Sequence, residues 1–64
     1  MNRRQIADAR YAAKILSRFG KMQECAVTAL GCTVEDLRNA RALGLVVSSG
    51  SRMGASTIRY WQAA

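Results

Sequence analysis

Apolar side chains recur at three- and four-residue steps near the start of the chain. Wound at about 100° per residue, Ile6, Ala9, Ala12, Ala13, Ile15, Leu16 and Phe19 fall on one broad face. The pattern predicts a first helix over residues 3–19 packed on a core. Asn2 stands where its side chain accepts from an early backbone N–H, Gln5 follows three residues later as the reciprocal partner, and Gly20 supplies a stop. Arg3, Arg10, Lys14 and Arg18 occupy the opposite face, with Arg4 and Tyr11 beside them.

A second helix is predicted from Lys21 to Leu30, closed by Gly31. Ala26, Leu30, Cys32, Leu37 and Ala40 then follow at the spacing at which two steeply crossing helices bury small and medium side chains. The third helix, Val34 to Leu43, has the clearest start. Thr33 is a good N-cap, Asp36 is its capping-box partner, Cys32 reaches across the first turn to Leu37, and Glu35 and Asp36 suit the positive end of the helix dipole. Gly44 ends it.

Beyond Gly44 the period changes. Leu45-Val46-Val47 is a β-branched run, and Thr57-Ile58-Arg59-Tyr60-Trp61 is a second strand with partial alternation. Residues 48–56 between them are small, polar and glycine-bearing, and read as a mobile hairpin tip. Such a ribbon is marginal alone, so it must lie on the helices, with Leu45, Val47, Ile58 and one or both of Tyr60 and Trp61 as anchors.

A turn between two short helices followed by a hairpin resembles the winged helix-turn-helix of small bacterial or phage transcriptional regulators, of the arsenic-repressor or multiple-antibiotic-resistance-repressor type. The resemblance is carried by Ala26-Val27, Leu30-Gly31-Cys32-Thr33, Leu37, Ala40, the exit Ala42-Leu43-Gly44-Leu45-Val46, and Ile58-Arg59-Tyr60-Trp61. It implies an α+β fold, mainly α with a small β-hairpin, as one three-helix domain over residues 1–64. Two departures stand out: the chain has none of the extra helices with which many such regulators dimerise or sense ligands, and the link between helices one and two reads as too short for a small first strand.

Charge points the same way. Ten Lys and Arg against four Asp and Glu give a net charge of +6, and eight of the ten are Arg. A planar guanidinium grips guanine edges or phosphate oxygens in two places, whereas an ammonium is a point charge. The resemblance implies double-stranded DNA as partner and the third helix as the recognition helix in the major groove. Thr33, Glu35, Arg38 and Asn39 would then read bases, with Val34 and Ala42 also outward. Arg38 matches guanine O6 and N7, Asn39 matches adenine N6 and N7, and Glu35 either accepts from a cytosine amino group or simply favours the dipole. Phosphate or minor-groove contacts fall to Arg3, Arg4, Arg10, Lys14, Arg18, Lys21, Arg41 and, on the wing, Arg52. The stripe on helix one is otherwise the solvated side of an amphipathic helix, and Arg52 a solvated turn residue. Tyr11 either stacks on a sugar or base or covers the core.

A domain of this size reads as a repressor-like regulator acting as a homodimer on a two-fold site, with Trp61, Tyr60 or part of helix one at the contact. The competing reading is a winged-helix protein-interaction module, such as a phage-encoded, anti-CRISPR-like inhibitor bound to a host protein; structured RNA is a third partner.

Enzyme and metal chemistry find little to use. The chain has no His, two Cys without CxxC spacing, and no nucleophile paired with a base, so no catalytic residue, metal site or cofactor is expected. Cys32 reads as a small hydrophobe. No stretch nears the roughly 18 apolar residues of a membrane span, and no signal-peptide run follows Met1, so the host cytoplasm or nucleoid is the expected location.

Overall fold

The computed structural model describes residues 1–54 and 56–64, the side chains of Ser51 and Met53 excepted. The order is α1 (Arg3–Phe19), β1 (Met22–Gln23), α2 (Glu24–Ala29), α3 (Val34–Ala42), β2 (Val46–Met53) and β3 (Ser56–Ala63). The three helices and an antiparallel sheet of order β1-β3-β2 make an α+β, winged-helix-like arrangement.

Local chemistry sets the helix ends. Asn2 and Gln5 exchange side-chain-to-backbone hydrogen bonds of 2.8 and 2.9 Å at the start of α1. Thr33 and Asp36 do the same at α3, at 3.1 and 3.0 Å. Each box satisfies backbone donors that have no carbonyl four residues back. At the end of α3 the Leu45 N–H reaches Ala40 O and the Gly44 N–H reaches Arg41 O, a Schellman closure that needs the left-handed φ of +75° at Gly44.

The first strand corrects the sequence reading. Met22 and Gln23 are extended and pair with Trp61 and Tyr60, so the link after α1 does hold a strand, and α2 begins at Glu24 rather than Lys21. A strand this short has no periodicity of its own; its partner defines it.

The wing is also longer than expected. β2 and β3 pair continuously from Val46↔Ala63 to Met53↔Ser56, so most of the segment expected to be a mobile tip is regular ladder. Gly54, which follows β2, has the left-handed φ of +62° that glycine adopts without strain. Ala55, part of the expected tip, lies outside the described residues.

One core joins all layers: Ala9, Ala12, Ile15 and Leu16 of α1, Val27 of α2, Cys32, Leu37 and Ala40 at and in α3, Val46 and Trp61 of the sheet. The alanines facing one another on α1 and α3 let these helices approach closely. Four expected anchors differ. Val46, not Val47, enters the core, because its pairing with Ala63 puts it on the Trp61 side of the sheet and the period of two turns Val47 outward. Ile58 falls on the face opposite Trp61 by the same alternation. Leu30 is exposed at the end of α2, and Val27 takes the buried place. Phe19 has the azimuth of the core but is 60% exposed, one turn beyond the buried Ile15 and Leu16.

Candidate nucleic-acid interface

Leu37 and Ala40 turn toward the core, which fixes the outward side of α3. Glu35, Arg38 and Ala42 lie there, all exposed. Thr33 is exposed at the N-terminus, but its hydroxyl oxygen accepts the Asp36 N–H and its own N–H donates to Asp36. Its first duty is the cap, which leaves the hydroxyl proton and one lone pair to offer.

Asn39 does not stand fully outward as expected. It is half-buried, and its Nδ2 is enclosed with no hydrogen-bond partner among the described residues. At about 100° per residue Asn39 and the exposed Arg38 both lie about 130° from the middle of the buried stripe, on opposite flanks, so azimuth alone does not account for the enclosure of Asn39. An enclosed amide without a partner costs about 1–3 kcal/mol.

Arg41 leaves α3 toward the sheet. Its guanidinium carbon stands 5.7 Å from the centre of the Trp61 ring, and Nη1 donates to Ser48 Oγ at 3.3 Å. Trp61 in turn donates its indole N–H to Glu24. A long, flexible side chain is thus held by an aromatic face and a hydroxyl at the junction of α3 with the wing.

The ladder register then decides what the wing offers. Residues paired across an antiparallel ladder point to the same face, and the face alternates every residue. Trp61 faces the helices and pairs with Ser48, so Arg59 opposite Gly50 and Arg52 opposite Thr57 share that side farther out along the wing. A Cβ placed on Gly50 would lie 3.7 Å from the Thr57 methyl, consistent with that shared face. Gly50, Arg52, Thr57 and Arg59 are all exposed there. Arg38 and Arg41 are one turn apart on α3, Arg41 reaches Ser48 on this face, and the pairs Gly50–Arg59 and Arg52–Thr57 follow along it. Small residues leave that track open to a phosphate chain.

Arg59 was not among the residues assigned a role from the sequence. Counting by twos from Trp61 would have found it, once Trp61 was known to face inward.

The basic stripe of α1 is placed elsewhere. α1 and α3 bury facing sides against one another, so Arg3, Arg10 and Lys14 point away from the outward side of α3, with Arg4 and Arg18 exposed at their flanks. Arg18 covers the Phe19 ring at 5.9 Å. Lys21 stands 5.1 Å from the centre of the Tyr60 ring, on the sheet face turned from the helices. The structure therefore brings Arg38, Arg41 and Arg52 of the predicted cations onto one surface and leaves the α1 set and Lys21 off it. Trp61, one expected dimer contact, is fully buried and offers no surface to a second copy.

Cys32 is a core residue whose Sγ–H donates to Val27 O at 3.3 Å; burial, helped by the nearby Asp36 charge, pushes its thiol pKa up. Among the described residues no three His, Cys, Asp or Glu cluster as a metal would need, and no helix is long and apolar enough to cross a membrane. No family model, curated protein or solved structure matches this chain.

Proposed function

We propose that this chain is a winged helix-turn-helix protein that binds double-stranded DNA sequence-selectively, as a small phage or bacterial transcriptional regulator. α3 enters the major groove, and the inner side of the wing follows the adjacent backbone or minor groove. The observation carrying this reading is the continuous run of Arg38, Arg41, Arg59 and Arg52 over α3 and one face of the ribbon. An α-helix with its side chains is about 10–12 Å across, a fair match to a major groove about 12 Å wide.

The work divides by position. Arg38 faces base edges and gives discrimination; Arg41, Arg59 and Arg52 neutralise phosphates and give affinity that falls with salt. Glu35 remains at the positive end of the helix dipole. Two copies on a two-fold site would double the contacts, and their meeting surface excludes Trp61. The host cytoplasm or nucleoid is where such a protein would act.

Selection of binding sequences from a random duplex pool tests the reading, followed by titration of the recovered and a scrambled duplex at several salt concentrations. A preferred motif whose advantage persists as salt rises is expected. Equal affinity for both duplexes would reduce the activity to general attraction between charges and overturn sequence-selective binding.

A further inference from the structure

The second notable surface lies on α1, outside the site just described. Tyr11, Ile15 and Phe19 are spaced four residues apart, so they form a stripe along one flank of the helix. With Lys14 and Arg18 they line an open groove of about 270 Å³. Tyr11 is 51% and Phe19 60% exposed, and Ile15 forms the floor. Two of the four aromatic residues of this protein are thus spent on solvent, although a chain of this size has little apolar surface to spare.

We propose that this groove docks an acidic peptide segment of a partner protein, one that inserts an aliphatic or aromatic side chain over Ile15 and sets carboxylates against Lys14 and Arg18. The argument rests on charge. α1 carries Arg3, Arg4, Arg10, Lys14 and Arg18 against the single acid Asp8, so a second copy laid on the same face would oppose cation to cation. Like charges brought together at an interface suppress that pairing, and opposite charges steer and orient the right one. A nucleic-acid strand fits the groove less well. Base stacking needs free aromatic planes, yet the Arg18 guanidinium already lies over the Phe19 ring at 5.9 Å, and the floor is the aliphatic Ile15.

Because the buried side of α1 faces α3, the groove is turned from the outward side of α3, and an occupant would leave the Arg38–Arg52 track free. The proposal stands independently of DNA binding. Together with the proposed DNA surface it would make the domain a two-sided adaptor, with a polyanion on one side and an acidic peptide on the other.

The test is two-dimensional amide NMR on the whole isotope-labelled chain, titrated with a synthetic probe peptide. The probe carries Leu and Phe four residues apart, flanked by Glu; a second version has Gln in place of each Glu. Saturable shifts confined to α1 and the turn after it are expected. Affinity should fall by at least about tenfold with the Gln version, with the Lys14→Glu/Arg18→Glu pair and with the Tyr11→Ala/Phe19→Ala pair, while duplex DNA binding by the aromatic pair variant stays as in the parent. The four side chains are exposed, and the dispersed spectrum of each variant verifies its fold. Shifts centred on α3 and the wing, equal affinity for both peptides, or no saturable shifts would overturn the proposal. So would displacement of the peptide from α1 by a single-stranded oligonucleotide, or a self-dimer that the Tyr11→Ala/Phe19→Ala pair dissolves.

Discussion

The indole N–H of Trp61 donates to Glu24 Oε1 across 3.1 Å, joining the central strand to the first residue of α2. Trp61 is fully buried, and the same ring supports Arg41. One side chain thereby ties β1, α2, α3 and β2 together, and the wing is fastened where the candidate interface turns from helix to ribbon.

Removal of the acceptor should therefore weaken the whole domain. Glu24→Ala leaves an enclosed indole N–H without a partner and is expected to cost about 1–3 kcal/mol in unfolding free energy, whereas Glu24→Gln keeps a carbonyl oxygen and should lose much less. Urea titration followed by the fluorescence of the single Trp measures both. Equal losses would mean that the acceptor oxygen is not what matters.

On the proposed DNA surface, Arg38 and Arg59 should fail differently. Arg38→Ala is expected to cost about 1–3 kcal/mol on the preferred duplex and little on a scrambled one. Arg59→Ala should weaken both alike and reduce the steepness of the salt dependence by about one unit in the log–log slope. Filter binding across a salt series separates the two; a selective effect at Arg59 would contradict the assignment of that wing face to phosphate.

Asn39 sets stability against binding. Its enclosed Nδ2 has no partner in the free protein, so Asn39→Ala should leave the unfolding free energy within about 1 kcal/mol of the parent or raise it; affinity for the preferred duplex falls only if binding draws this amide out to an adenine edge. Unfolding curves and duplex titrations on the same sample decide it. A clear loss of stability with unchanged affinity would make Asn39 a packing residue only.

The thiols should separate by burial. Cys25 is exposed and Cys32 buried, so a thiol reagent should modify Cys25 quickly and Cys32 only on unfolding. Burial raises the Cys32 pKa in the folded state, which therefore holds its proton when the unfolded chain has lost it. That contribution to stability is complete below the ordinary thiol pKa of about 8.5 and is lost as pH rises through the folded value. Unfolding free energy in Cys32→Ala should accordingly decline less than in the parent over the alkaline range.

Sequence alone determined whatever is settled within a turn or two of chain. The boxes Asn2–Gln5 and Thr33–Asp36 and the Gly44 closure all join residues three to five apart, so their chemistry is written in adjacent letters. The helix count and the outward place of Arg38 followed from those ends and the 3.6-residue period, and the hairpin from two strand-like runs on either side of a glycine-bearing stretch. What tertiary structure decided was which side of an element is covered. Met22–Gln23 is a strand only because Trp61 and Tyr60 lie beside it; Val46 rather than Val47 is buried because of its register with Ala63; Arg59 joins Arg52 because Trp61 faces inward. Phe19 and Leu30 had apolar identity but stayed exposed, and Asn39, as far round α3 from the buried stripe as Arg38, is enclosed where Arg38 is open. Hydrogen bonds within a turn depend on adjacent residues, whereas burial and strand pairing depend on partners far along the chain, and only the assembled fold names those partners.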